Sequence, residues 1–234
     1  MMLKSLYMRS KQLTTLKHII IILLFFGLLL GLRWVWAENF SSAAFTPAVN
    51  GVLDLRGWKM DRTSTVPLDG EWQFYPGKLI SHQDVSLEAN DVRTVQVPGD
   101  WSEALSKEAG SSLGYGTYRL RILVDPLEEP AGFWFKGIQA SSRVEINGIA
   151  ESNMGTPAEN ANAYTPKYVS YTATYSVEGT KEIELLIRVA NFEDPYNGGI
   201  LDSIRFGSQA AIDYVRWYSI GFQLVTFMVL LLHG

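Results

Sequence analysis

The chain has 234 residues, enough for one or two domains, with 47% hydrophobic, 19% charged and 12% aromatic residues, too apolar and aromatic for a disordered polymer. It has no cysteine, which excludes a disulfide framework, a thiolate metal site and a thiol nucleophile. His18, His82 and His233 lie far apart, which argues against a His-rich metal site. Residues 1–37 carry five bases and no acid, and residues 214–234 carry only Arg216. The middle, 38–213, therefore holds fourteen bases and all 24 acids, an excess of ten negative charges that disfavours nucleic acid as a partner.

The mean hydropathy, +0.04, is high for a purely soluble protein and directs attention to the ends. Lys4, Arg9, Lys11 and Lys17 precede an unbroken apolar run from Ile19 to Leu32. Two readings of residues 1–37 stay open. One is a cleaved signal peptide ending at Val35-Trp36-Ala37; the other is a signal anchor with Trp34 and Trp36 at the interface. Either orientation places residues after about 38 outside the cytoplasmic membrane. Residues 38–49 form an extended lead-in.

The middle, 50–207, has the alternation and turn spacing of an all-β domain, a jelly-roll or galactose-binding-like β-sandwich. Strands are predicted at 51–56, 71–75, 117–124, 132–136, 143–146, 168–175, 182–190 and 200–206, with one short helical turn from Ser102 to Ala109. Tyr118, Leu120, Ile122 and Val124 share a face. Asn147-Gly148 is a type I′ hairpin signal. Residues 208–213 form a short joint, and 214–234 read as a truncated transmembrane helix entered through Tyr214, Trp217 and Tyr218. The expectation is that this is the front piece of a longer membrane protein.

The ordered set Leu68-Asp69-Gly70-Glu71-Trp72-Gln73-Phe74, Val97-Pro98-Gly99-Asp100-Trp101, Gly116-Thr117-Tyr118-Arg119-Leu120, Val144-Glu145-Ile146-Asn147-Gly148 and Ile187-Arg188-Val189-Ala190-Asn191 resembles the sugar-binding jelly roll of glycoside hydrolase family 2. With Gly198-Gly199-Ile200 and the helix after it, residues 50–234 also resemble the extracytoplasmic part of bacterial seven-transmembrane receptors with diverse intracellular signalling modules. That resemblance implies a sensor histidine kinase or cyclase type of receptor, a β-sandwich sensing an extracytoplasmic ligand such as a carbohydrate, and a homodimer if a histidine kinase follows. The alternatives are a membrane-tethered carbohydrate-binding module of a glycoside hydrolase and a protein-interaction domain that binds no small ligand.

No catalytic residue is assigned. Glu128-Glu129 and Glu193-Asp194 are adjacent carboxylates, not a pair placed across a sugar, and no nucleophile elbow or phosphate loop occurs. No enzyme activity is expected in this chain, and no cofactor; a structural calcium would suit a jelly roll, although no ligand spacing is diagnostic. Ligand contacts are expected from aromatic faces and nearby hydrogen-bonding groups. The candidates are Trp101, Tyr115, Trp134 and Tyr164, together with Asn191, Glu193, Asp194 and Tyr196 from the loop 192–199. That loop, just before the last strand, is expected near the membrane helix. Trp101 is expected as an exposed loop ring, and Trp134 as either core or groove. Trp72 and Phe74 are expected in the core.

Overall fold

The computed structural model describes residues 16–31, 33–34, 46–85, 91–105 and 110–231. Two compact units emerge: one comprises 1–41 and 221–234, the other 42–220. In the first, residues 16–31 form a helix, α1, whose apolar side chains, among them Ile19, Leu23, Leu24 and Leu30, are exposed.

The second unit holds the strands. Seven of them make one sheet: β1 (Val52–Asp54), β3 (Gly70–Pro76), β4 (Arg93–Val97), β6 (Gly114–Leu123), β9 (Ser141–Ile146), β10 (Ile149–Met154) and β12 (Glu182–Asn191). Its order is β10-β9-β12-β6-β3-β4, with β1 parallel to β6. A second sheet has the order β11 (Tyr171–Tyr175), β7 (Ala131–Phe135), β14 (Arg205–Ser208) and β2 (Val66–Pro67). A small third sheet joins β5 (Gly99–Asp100), β13 (Gly199–Ile200) and β8 (Ile138–Gln139). Helix α2 (Ser102–Leu105) is one turn, and α3 spans Gln209–Leu231.

Alternation sets the layers. In the long antiparallel pair β6–β12, Tyr118 faces Ile187, Leu120 faces Leu185 and Ile122 faces Ile183, and all six are buried. The second sheet meets them with Phe133, Phe135, Tyr171 and Phe206; Phe133 and Phe206 lie 5.1 Å apart and Phe135 and Tyr171 4.9 Å apart, within the range of favourable aromatic pairs. One apolar core thus fills the space between two sheets, a β-sandwich. Trp72 and Phe74 are in it, as their alternation with Gln73 predicts.

Asn147 and Gly148 both adopt positive φ, 47° and 79°, and close the β9–β10 hairpin with Ile146 opposite Ile149. The type I′ turn needs both.

Several expectations are revised. The run 200–206 is not one strand: Ile200 ends β13, and β14 begins only at Arg205. The strand expected from 168 begins at Tyr171. β4 and β10 were not anticipated, because each is an edge strand with a weaker apolar alternation. The stretch 208–213 is not a joint, since α3 starts at Gln209. Ser208 is fully buried and caps that helix: its hydroxyl accepts from the Ala211 amide at 3.1 Å and donates to the Asp61 carbonyl at 2.6 Å. Ala211, Ile212 and Val215 are buried against the sandwich. A Cβ on Gly132 of β7 would meet Ile212 and Gln209 at about 3 Å, so the helix base lies directly on the strand.

Among the described residues no helix is long and apolar enough to cross a membrane. Residues 1–15, 32 and 35–37 of the expected leader, most of the lead-in, 106–109 of the expected turn and 232–234 of the expected span lie outside the described residues.

Candidate functional site

The register of β6 and β12 fixes the two ends of the sandwich. Gly114 faces Asn191 at one end and Leu123 faces Glu182 at the other, about 30 Å away for ten paired residues. The loop 192–198 leaves from the first end. The other end continues through Val124, whose amide donates to the Lys181 carbonyl, to Pro130, whose carbonyl accepts from Gln209 at the start of α3. The loop therefore sits at the end of the sandwich remote from α3, not near it as expected from chain proximity.

The loop is organised from within. Asn191, fully buried, donates from Nδ2 to the carbonyls of Ser112, Asp194 and Asn197, and its Oδ1 accepts from the amides of Glu193 and Asp194. Asp194 accepts from the amides of Tyr196 (2.8 Å) and Asn197 (3.1 Å) and from Asn197 Nδ2 (2.9 Å). The Asn197 side-chain hydrogen bond is the largest influence holding its carboxyl below the ordinary range. Asp100 accepts from Ser102, Ser112 and Gly198; burial works against the charge, yet these donors outweigh it and lower the pKa. Asn191 and Asp194 thus shape the loop and direct their polar atoms into it.

Above this frame lies a ring of aromatics. Phe192 contacts Tyr164 edge-on at 5.3 Å and Tyr115 at 6.5 Å. The Tyr168 hydroxyl donates to Glu193 Oε2 at 2.6 Å. Burial first, then that hydrogen bond, pushes the Tyr168 phenol up; burial and the Glu193 charge do the same to Tyr164. Tyr196 stands at the loop tip, 83% exposed. The segment carrying Tyr164 and Tyr168 is pinned by the bridge Thr156–Thr165 and by the Lys167 amide to the Ala140 carbonyl.

Tyr115, Tyr164, Asn191, Glu193, Asp194 and Tyr196 are therefore brought together. Trp101 is not an exposed ring. It is fully buried, stacked parallel to Tyr118 at 6.0 Å, with its indole N–H donating to the Ser112 carbonyl at 3.0 Å. The motif Gly198-Gly199 answers to it: a Cβ on Gly198 would lie 2.2 Å from the Trp101 indole nitrogen, and one on Gly199 2.2 Å from the Tyr118 hydroxyl. Trp134 is on the outer face of the second sheet, half-buried, paired with Thr172 and Arg205, with Lys136 Nζ 4.5 Å from its ring centre. It belongs to the sheet face, not to the loop cluster.

Phe192 and Tyr168 complete the surface and were not among the expected contacts. Phe192 was readable as part of the loop, whereas Tyr168 was absorbed into a predicted strand. Two further carboxylates, Glu145 and Glu184, are buried on the outer side of the first sheet. Glu184 pairs with Arg119 at 2.6 Å and contacts His82, and Glu145 pairs with Arg188 at 2.9 Å. Each has a cationic partner, the arrangement buried charges require. Among the described residues no group of three or more His, Asp or Glu side chains is placed to hold a metal ion.

No protein-family model matches this chain, and no curated protein matches it. Solved structures do. A Faecalibacterium prausnitzii β-glucuronidase matches with TM-score 0.47 and 12% identity over 62% of this chain and 31% of its own. A glycosyl hydrolase family 2 member from Bacteroides cellulosilyticus DSM 14838 matches with TM-score 0.47 and 20% identity, over 61% and 20%. An uncultured Clostridium sp. β-glucuronidase matches with TM-score 0.46 and 15% identity, over 70% and 30%. This chain spans less than a third of each. None of the residue roles given above rests on these matches.

Proposed function

We propose that the sandwich is the ligand-sensing ectodomain of a membrane-anchored bacterial signalling receptor, with the loop surface around Tyr115, Phe192, Glu193 and Tyr196 as its recognition face. The observation that carries this reading is the seamless passage of β14 into α3: the sandwich and residues 209–220 form one compact unit, so a displacement of the sandwich moves the helix base with it. A ligand shifts such a unit only by its differential affinity for two poses. The apolar side chains exposed along α1, and on α3 at Trp217, Leu224, Phe227, Met228, Leu230 and Leu231, suit lipid contact. A kinase or cyclase output would lie downstream, and this chain itself is assigned no catalysis.

The ligand class proposed is a neutral glycan. Aromatic faces stack on sugar rings, while the Glu193 carboxylate and the tyrosine hydroxyls accept or donate to hydroxyls. The negative charge of 38–213 disfavours polyanions. A glycan array probed with the full chain in non-ionic detergent is the test. Binding that is lost in Tyr196→Ala supports the reading; no binding to any glycan, or binding unchanged in the variant, transfers support to a protein-interaction domain.

A further inference from the structure

At the end of the sandwich that carries α3 a cleft of about 430 Å³ opens between residues 58–60 and 124–129. Its size is that of a small-molecule site. Trp58 and Met60 provide an apolar wall, both partly buried against the core, with Trp58 6.2 Å from Phe206. The charged lining is unbalanced: Asp125, Glu128 and Glu129 against Lys59. The apolar wall calls for a hydrophobic body, and the excess of carboxylate calls for a cation.

Both walls are tied to the start of α3. The wall at 58–60 leads to Asp61, whose carbonyl accepts from the Ser208 cap. The wall at 124–129 leads to Pro130, whose carbonyl accepts from the Gln209 amide at 3.1 Å. A molecule seated between the walls bears on two of the hydrogen bonds that fix the helix base.

We propose that this cleft is a second ligand site, distinct from the loop surface, for a small amphipathic amine: an aromatic or alkyl body against Trp58 and Met60, and an ammonium group facing Glu128 and Glu129. Its occupancy is felt at the start of α3. The inference does not depend on the receptor reading or on the loop surface.

The test uses the full chain in non-ionic detergent and three probes of similar size: phenethylammonium, phenethyl alcohol and 3-phenylpropionate. Phenethylammonium binds saturably and at least about tenfold more tightly than 3-phenylpropionate. The double variant Glu128→Gln/Glu129→Gln, which alters exposed side chains, removes that preference. Met60→Trp, which fills the cleft, abolishes binding, and Tyr196→Ala at the remote loop leaves it unchanged. In hydrogen exchange, phenethylammonium slows the amides of residues 209–211. Equal affinity for the three probes, a charge preference that survives the double variant, or no saturable binding overturns the site. Binding with unaltered exchange at 209–211 overturns its link to the helix.

Discussion

At the loop end of the sandwich, residues 191–198 are held from within by Asn191 and Asp194 and from remote parts of the chain by Ser112 and Asp100, while the Tyr196 ring stands exposed at the tip. At the helix end the outcome differs. There the polar contacts run between distant parts of the chain, Ser208 to Asp61 and Gln209 to Pro130, and the apolar side chains Ala211, Ile212 and Val215 are covered. The first end presents an exposed ring, and the second covers the base of a helix. The difference lies in what the bonded frame carries: an exposed ring at the loop tip and a covered helix base at the opposite end.

The largest effect is expected where the loop end meets the core. Trp101→Ala should remove a fully buried indole and its bond to Ser112, costing about 3–5 kcal/mol and lowering Tm in thermal melts. A loss below about 1 kcal/mol would mean that the ring is not packed under the loop.

Asn191→Ala should cost on the order of 2–3 kcal/mol, because the carbonyls of Ser112, Asp194 and Asn197 and two amides lose their partner inside the loop. The same variant should speed amide exchange across 192–198 while leaving 209–212 protected, which separates the two ends directly.

At the helix end, Ser208→Ala should cost about 1–2 kcal/mol, the usual loss of an N-cap, with faster exchange confined to the first turn of α3. The loop amides should be unaffected.

Tyr196→Ala is the smallest change in stability, within about 0.5 kcal/mol, since the ring is exposed. It should alter glycan binding alone, and a large fall in Tm would show that the tip has a structural role.

Sequence alone conveyed the parts of this contrast that depend on period and turn chemistry. Tyr118, Leu120 and Ile122 declared a buried face by alternation, and Asn147-Gly148 declared a turn that needs positive φ twice. The loop's composition marked it, but its position did not follow, because closeness in the chain is a poor guide once a ten-residue strand separates the ends. The burial of Trp101 escapes the sequence for the same kind of reason. A Pro-Gly pair before it signals a turn, while its burial depends on Gly198 and Gly199, nearly a hundred residues later, leaving room for the ring. Asn191 looked like a ligand amide, and only the fold shows its amide already occupied. The capping contact at Ser208 is local, to the Ala211 amide, and escapes a reading that starts the helix at Tyr214; only its second bond, to the Asp61 carbonyl, is remote in sequence.

The central proposal is that the loop end is the outward-facing recognition face of an anchored ectodomain. The chain has no cysteine, so Tyr196→Cys introduces a single thiol at the exposed tip. Labelling intact cells with a membrane-impermeant maleimide is the direct measurement. The account predicts full labelling without lysis and slower labelling when a bound glycan covers the tip; labelling that appears only after the cells are lysed would contradict it.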